Sequence, residues 1–292
     1  MATASQREFF YSAGLLALVL ACYSNAISCG FAYDDKGAIL KNEDLRPNSS
    51  ISKLLFNDFW GVPMNKDQDV SWSRGNVRGT VKLYDVFAYK LTEADLDYDP
   101  TNLPNYKSNS SDESHKSYRP LCVLTFRLNY ALGELNPWGY HLVNVVLHWV
   151  MCVLFLKAAK QIIDEESSVN ASLLFAVHAV HTEAVTGVVG RAEILSSVFM
   201  LLSFMAYVKA AEANSTTNWK YMSWSALLIV MATASKEQGI TVAGICCIYE
   251  IFYIQKIFKP SCSVPLPNPS PDPLIPSASQ RLAPPLSLST DL

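Results

Sequence analysis

The stretch FFYSAGLLALVLACYSNAISC, residues 9–29, contains no charged side chain. A helix needs about 20 apolar residues, at a rise of about 1.5 Å per residue, to cross the hydrocarbon core of a bilayer. The stretch therefore predicts a first transmembrane helix over 9–29, with residues 1–8 as a cytoplasmic N-terminus. The shorter core 13–21, with Arg7 before it and small residues near Ala26, also fits a signal peptide.

The composition is that of an integral membrane protein with a substantial water-exposed part. Charged residues make up 17% of the chain, below the roughly 25% of soluble domains. The mean hydropathy is +0.14. The net charge of −3 gives no indication of nucleic-acid binding. The seven cysteines lie mostly in or beside apolar runs, which is typical of small hydrophobic residues rather than of a disulfide framework.

Further apolar segments predict five to six helices in all, and the remaining transmembrane helices lie within 138–258. The segments are 138–156, 170–189, 194–208, 221–234 and 240–254. Lysine and arginine are enriched in cytoplasmic loops. Such residues mark alternate loops here, namely Arg7, Lys157, Lys160, Lys209, Lys220, Lys256 and Lys259. The long segment 30–137 and the regions 181–191 and 235–238 are then lumenal.

The lumenal loop 30–137 has features of its own. Its sequons at Asn48 and Asn109 would be accessible to glycosylation, whereas those at Asn170 and Asn214 would face the cytoplasm. The segment 121–132 is amphipathic but too short and too polar to cross a membrane. It predicts an interfacial helix on the lumenal leaflet, beside the site of Asp34 and Asp35.

Two stretches differ from the rest of the chain. Residues 69–113 are polar and typical of a loop. Residues 259–292 are rich in proline and serine and carry almost no charge, which predicts a disordered tail.

Asp34 and Asp35 form an acid pair five residues beyond the end of the first apolar stretch. A carboxylate at a membrane boundary is partly desolvated, which strengthens it as a base. It can also reach both a polar substrate and a lipid-borne one. Two adjacent acids can divide this work, because one accepts a proton while the other orients it or a substrate group. The alternative is a solvated cap at the helix exit, with Lys36 as its neighbour.

Polar side chains also interrupt the apolar segments. His141, Asn144 and His148 fall on one helical face, which indicates either contact with a lipid phosphate or hydrogen bonds between helices. Lys236 and Glu237, between two apolar runs, form a lumenal charge pair or a simple ion pair within a turn.

The densest polar cluster in an apolar context lies between residues 178 and 193. Its charged and imidazole side chains are His178, His181, Glu183, Arg191 and Glu193. The two histidines would share a helical face, but further metal ligands at suitable spacing do not follow them. Arg191 is interpreted as the partner of a phosphate or of a buried carboxylate.

Seven blocks of this sequence, taken in order, resemble the amino-terminal part of the transmembrane and tetratricopeptide-repeat-containing (TMTC) family. They are FAYDD (31–35), NEDLRP (42–47), NDFWGVPM (57–64), SHKSYRPLCVLTFRLNY (114–130), PWGYHLVNVVL (137–147), residues 178–195 and KEQGITVAGICCIYE (236–250). Together they cover most of residues 9–258.

The resemblance implies an α-helical multi-pass membrane protein, a GT-C-like glycosyltransferase core that is incomplete and has a long first lumenal loop. Members of the family look like protein O-mannosyltransferases of the endoplasmic reticulum membrane. They would transfer mannose from dolichyl-phosphate-mannose to Ser/Thr hydroxyls of cadherin-type domains. Asp34 or Asp35 would deprotonate the hydroxyl as it attacks the anomeric carbon, with inversion at that carbon.

The resemblance also implies how the donor is held. Arg119, Arg191 and Lys236 are the candidates for binding the lipid phosphate, and His181 and Glu183 would line the pocket. With basic side chains in this role, no cofactor and no protein-bound metal is required.

Three features depart from the family pattern. Residues 69–113 look inserted between blocks that should be nearly contiguous. The predicted helices number about six, where the family continues with more helices and a repeat array, and 259–292 matches nothing in it. These features favour a truncated isoform or an incomplete gene model. They leave two alternatives to an active enzyme: a non-catalytic membrane adaptor, and a small transporter that uses the His141, Asn144 and His148 stripe as its path.

Overall fold

The computed structural model describes residues 3–64, 116–211 and 218–255. The predictions for 69–113, for 259–292 and for the sequon at Asn109 lie outside these residues. The helices are α1 (Ala4–Tyr23), α2 (Lys53–Phe56), α3 (Pro120–Gly133), α4 (Pro137–Ala159), α5 (Glu165–Val177), α6 (His181–Thr186), α7 (Arg191–Ala211), α8 (Trp219–Ser235) and α9 (Val242–Tyr249). Within the described residues, extended backbone pairs only at an isolated bridge between Asn57 and Pro63.

Four segments are long and apolar enough to cross a membrane. They are Ala4–Ser28, Pro137–Ala159, Arg191–Ala211 and Glu237–Ile254. The first begins before Phe9, because Thr3 and Gln6 form a capping box that starts α1 at Ala4. It ends in a 3-10 turn, Ser24–Ser28, just ahead of the acid pair. The described part of the chain is therefore helical, with several candidate membrane spans, as the apolar segments predicted.

One predicted helix is wrong. The segment 170–189 is not continuous, since α5 ends at Val177 and α6 begins at His181. His178 adopts an extended conformation, and its Nδ1 accepts a hydrogen bond of 3.2 Å from the backbone N–H of Val180. This side-chain contact competes with the helical hydrogen bonds of the same segment. The two histidines therefore do not share one helical face.

The helices pack through small side chains as well as through apolar ones. Along α7 and α8, Ser203 and Ser225 each donate a hydroxyl to the other's backbone carbonyl, at 3.0 Å in both cases. Ser196 donates in the same way to the carbonyl of Ala232, at 3.0 Å. Small residues let helix backbones approach closely, which favours helix association in a membrane, where the hydrophobic effect does not drive it.

Different charged groups lie at the two ends of α1. At one end, Glu165 of α5 accepts from Arg7 of α1 at 3.2 Å and from Lys160, next to α4, at 3.0 Å. Both basic residues were predicted to be cytoplasmic. The acid pair follows the opposite end of α1, so the structure separates these groups along the length of the helices.

Helix α3 occupies the segment predicted as an interfacial helix. Cys122, Val123, Phe126 and Asn129 form its buried face, whereas Leu128 and Leu132 are exposed. The guanidinium of Arg127 donates to the backbone carbonyls of residues 44 and 49, at 3.0 and 2.6 Å. These bonds fix residues 44–49 onto α3. The lumenal side of this loop and the contact of α3 with the lipid leaflet stay predictions.

Candidate functional site

A cavity of about 500 Å³ lies at the end of the bundle where the first span exits. Its walls come from the turn after α1, the residue before α3, the α6–α7 connection and the end of α8. The lining side chains that carry charge are Asp34, Asp35, Arg119, Glu183, Glu193 and Lys236. Five of the seven predicted catalytic, phosphate-binding and pocket residues are among them. Arg191 and His181 are not.

Asp35 connects two segments of the cavity wall. Its side chain is buried; Oδ1 accepts a hydrogen bond of 2.9 Å from the backbone N–H of Val189, and Oδ2 accepts one of 3.2 Å from that of Ala32. Hydrogen bonds to a carboxylate are stronger than those between neutral groups. Asp35 therefore ties the turn after α1 to the α6–α7 connection.

Asp34 has a different environment, although it is the adjacent residue. Its side chain is exposed and lines the cavity. Within the described ranges 3–64, 116–211 and 218–255, its carboxylate has no hydrogen bond and no ion pair. Of the two acids, Asp34 is the one whose oxygens are available to a substrate.

Two cations reach the cavity, and each is paired with a carboxylate. Arg119 Nε lies 3.4 Å from Glu237 Oε2, and Lys236 Nζ lies 2.5 Å from Glu193 Oε1. The cationic side chains are only 19% and 14% exposed, whereas the two carboxylates are about half exposed at 52% and 54%. Lys236 and Glu237 thus pair with other elements rather than with each other.

Arg191 does not reach this cavity. It is fully buried, and Nε donates to Asn144 Oδ1 at 2.8 Å while one terminal nitrogen donates to Asn129 Oδ1 at 2.5 Å. The other terminal nitrogen donates to the carbonyl of Tyr140 at 2.8 Å, and the guanidinium lies over the ring of Phe126, 4.7 Å from its centroid. The structure therefore places Arg191 outside the cavity, where it joins α3, α4 and α7.

His181 also lies outside the cavity, unlike Glu183 of the same helix. Its half-buried ring packs against Phe175 and His148, at centroid distances of 4.4 and 5.1 Å. Glu183 is exposed and lines the cavity.

The stripe of polar residues on α4 contacts neighbouring helices and connections. Asn144 Nδ2 donates to the carbonyl of Gly187 at 2.9 Å, and His148 Nε2 lies 3.2 Å from the carbonyl of Ala176. His141 is buried and does not line the cavity. Hydrogen bonding between elements, one of the two interpretations of this stripe, describes Asn144 and His148.

A close backbone approach shapes the part of the cavity wall that Asp35 contacts. A Cβ on Gly190 would overlap the backbone of Ala184. Only glycine fits there, and the contact places the N–H of Val189 where Asp35 can accept it.

Some residues at or beside the cavity were not assigned to the site from the sequence. Tyr33 and Cys29 line it, and Glu193 and Glu237 pair with its cations. Among the residues that the structure describes, no group of three or more His, Cys, Asp or Glu side chains is arranged to hold a metal ion. Asn48 is exposed, on the loop that precedes α2.

The chain is similar to curated proteins over most of its length. Protein O-mannosyl-transferase TMTC3 of Homo sapiens is 45% identical over 241 residues, which are 82% of this chain and 21% of the relative. Protein O-mannosyl-transferase Tmtc3 of Drosophila melanogaster is 39% identical over 265 residues, 82% of this chain and 24% of the relative. Protein O-mannosyl-transferase TMTC4 of Homo sapiens is 34% identical over 260 residues, 82% and 29% respectively.

The chain spans less than a third of the length of these relatives. No family model matches it, and no solved structure matches it. The similarity to several curated members, together with the FAYDD block at the cavity, shows that the chain belongs to the TMTC family.

Proposed function

We propose that this chain carries the catalytic cavity of a protein O-mannosyltransferase of the GT-C type, in the membrane of the endoplasmic reticulum. It transfers mannose from dolichyl-phosphate-mannose to Ser/Thr hydroxyls of proteins, with cadherin-like domains as acceptors. The observation that carries the proposal is that one cavity holds the free carboxylate of Asp34 together with two cations, Arg119 and Lys236. The printed names of the relatives support the reaction class.

In the proposed step, Asp34 is the general base. Its carboxylate accepts the proton of the acceptor hydroxyl while the hydroxyl oxygen forms a bond to the anomeric carbon. The bond between that carbon and the phosphate oxygen breaks, and its electron pair leaves with dolichyl phosphate. Attack occurs on the face opposite the leaving group, so the configuration at the anomeric carbon is inverted.

The two cations oppose the charge of the phosphate. Arg119 and Lys236 are held in place by Glu237 and Glu193, whose side chains are more exposed than the cations. A phosphate that enters the cavity would take over these contacts, because charge-assisted hydrogen bonds to phosphate are among the strong ones. Arg119 and Lys236 would then stabilise the charge of the departing phosphate.

Asp35 is assigned a positioning role. Both of its oxygens already accept backbone N–H groups. It fixes the turn that presents Asp34, so that the base needs little rearrangement when the substrate arrives.

A second candidate function is a non-catalytic adaptor in the same membrane. The chain covers 21% of human TMTC3, so the activity in that relative's name comes to this chain only as a proposal. The transporter alternative is less well supported, since Asn144 and His148 are engaged in contacts between elements.

The test is mannose transfer in microsomes that contain this chain, with dolichyl-phosphate-mannose and a purified cadherin-type domain. We expect O-linked mannose on the acceptor, released by β-elimination, with the anomeric configuration opposite to that of the donor. Absence of transfer, while a longer repeat-bearing relative is active in parallel, would reject catalysis by this chain and favour the adaptor.

A further inference from the structure

Tyr33 adopts a backbone conformation that is unfavourable for its residue type. Its φ is +42°, in the left-handed region, which is a genuine outlier for a bulky side chain. Glycine is the usual residue where a turn needs positive φ at its first inner position. The conformation is retained although it carries a local cost.

The turn around Tyr33 is closed from both sides. The N–H of Asp35 donates to the carbonyl of Ala32 at 2.9 Å, and the N–H of Lys36 donates to the carbonyl of Tyr33 at 3.1 Å. The carboxylate of Asp35 also binds the N–H of Ala32. These contacts use backbone atoms and the Asp35 side chain, so they explain the turn without explaining why a tyrosine occupies it.

The ring of Tyr33 is not stabilised by the rest of the protein. The residue is 90% exposed, more than any other large apolar or aromatic side chain in the described part of the chain. Its side chain makes no hydrogen bond and no ring contact among those residues. Tyr33 nevertheless lines the cavity and directly precedes Asp34.

We propose that Tyr33 is an acceptor-binding residue, whose ring packs against the polypeptide that presents the Ser/Thr hydroxyl to Asp34. This inference rests on the proposed function and adds a contact for the protein substrate. The acceptor hydroxyl must come within hydrogen-bonding distance, about 3 Å, of the base. The polypeptide on either side of that hydroxyl therefore passes the neighbouring Tyr33.

The chemistry of tyrosine suits this contact. Its ring offers a large apolar surface with a polar hydroxyl and has few rotatable bonds, so little entropy is lost when it is covered. Such residues provide much of the binding energy at protein interfaces. A tyrosine near the membrane surface can also contact lipid headgroups, and that role gives a different result in the experiment below.

Photo-crosslinking tests the proposal independently of turnover. A benzoylphenylalanine replaces Tyr33 in the 292-residue chain, in microsomes with a purified cadherin-type domain as the probe. The matched control is the same replacement at Phe56, which is 70% exposed on the lumenal loop and does not line the cavity. We expect the probe to be labelled from position 33 and not from position 56, and the labelling to persist with the additional substitution Asp34→Asn.

Labelling of lipid alone from position 33, equal labelling of the probe from both positions, or no labelling of the probe would overturn the proposal. Labelling without any mannose transfer would instead leave the proposal standing and reject the proposed catalytic function.

Kinetic measurements distinguish the contribution of the Tyr33 ring from that of the Tyr33 backbone conformation. Tyr33→Ala and Tyr33→Gly both remove the ring, but glycine also accepts the positive φ. We expect both variants to raise the KM for the acceptor about tenfold with an unchanged KM for the donor, and Tyr33→Phe, which keeps the ring, to raise the acceptor KM by less. Recovery of the parent values by Tyr33→Gly would show that the backbone conformation alone is required, and would contradict a role for the ring.

Discussion

The Oδ1 atom of Asp35 accepts a hydrogen bond of 2.9 Å from the backbone N–H of Val189, which lies 154 residues further along the chain. This contact joins the exit of the first membrane span to the connection between α6 and α7. Both acids line the cavity, but both oxygens of Asp35 accept backbone N–H groups, whereas the carboxylate of Asp34 is exposed. Neighbours in the sequence thereby have different environments.

The different environments of the two acids predict different effects on stability. Asp35→Asn replaces an acceptor oxygen by an amide that cannot accept a second backbone N–H. We expect it to lower the free energy of unfolding by about 1–3 kcal/mol. Asp34→Asn should change it by less than about 0.5 kcal/mol, since Asp34 is exposed. Thermal unfolding of the two variants in detergent measures this difference, and equal losses would contradict the assignment.

Arg191 is predicted to be structural. Arg191→Lys retains the charge but cannot reproduce the planar set of donors to Asn144, Asn129 and Tyr140. Breaking a buried, hydrogen-bonded charge should cost about 3 kcal/mol or more and reduce the yield of folded protein. The control is Arg119→Lys, at a partly exposed site. An Arg191→Lys variant that unfolds like the parent chain but binds the donor weakly would restore the phosphate-binding assignment.

The cations of the cavity are predicted to act on the donor. Arg119→Gln and Lys236→Gln should each raise the KM for dolichyl-phosphate-mannose about tenfold or more, because a charge-assisted contact to phosphate is lost. Glu237→Gln removes only an exposed ion-pair partner and should change the free energy of unfolding by less than about 1 kcal/mol. Donor titrations at saturating acceptor check the first effect. Unchanged donor KM values in both cation variants would exclude these side chains from phosphate binding.

Gly190 is predicted to tolerate no side chain. Gly190→Ala places a methyl group against the backbone of Ala184 and should move the wall that carries the N–H of Val189. We expect a loss of about 1–3 kcal/mol in stability together with reduced transfer. Gly14→Ala is the matched control, because a Cβ there meets no atom within 4 Å and alanine favours the helix. Equal stability of the two variants would contradict the close approach.

Thiol labelling of two cysteines tests the exposure of the cavity and the burial of α3. Cys29 is exposed and lines it, whereas Cys122 on α3 is buried, and burial raises the pKa of its thiol to about 12. Because the thiolate is the reactive form, Cys122 should stay protonated and unlabelled at pH 8. A membrane-impermeant maleimide added from the lumenal side should label Cys29 and block transfer. Mass spectrometry identifies the labelled residue, with Cys29→Ser as the control; labelling of Cys122 in the folded protein would contradict its burial.

The sequence predicted the helical, multi-pass character because apolar runs such as 9–29 have the length that a membrane requires. It did not predict the break at His178, where the side chain accepts a hydrogen bond from the backbone N–H of Val180 within a mostly apolar segment. The acid pair was recognised from its position after the first span. The different environments of the two acids depend on Val189, which no local pattern connects with them.

The partners of Arg191 could not be predicted from the sequence either. The sequence marked it as a charge in need of a partner, and the partners are amides of α3 and α4 that become neighbours only when the helices pack. Asn144 was identified in the stripe on α4, but its link with Arg191 was not. The pairing of Glu237 with Arg119 likewise could not be predicted, because the two residues become neighbours only when the chain folds.

Asp34 is proposed as the base in this cavity. The most direct test of this role is mannose transfer to a cadherin-type domain in microsomes, with the parent chain, Asp34→Asn and Asp35→Asn matched for the amount of folded protein. We predict that Asp34→Asn abolishes transfer by the folded protein and that Asp35→Asn retains a measurable part of it. Full transfer by Asp34→Asn, or its loss only in Asp35→Asn, would contradict the account.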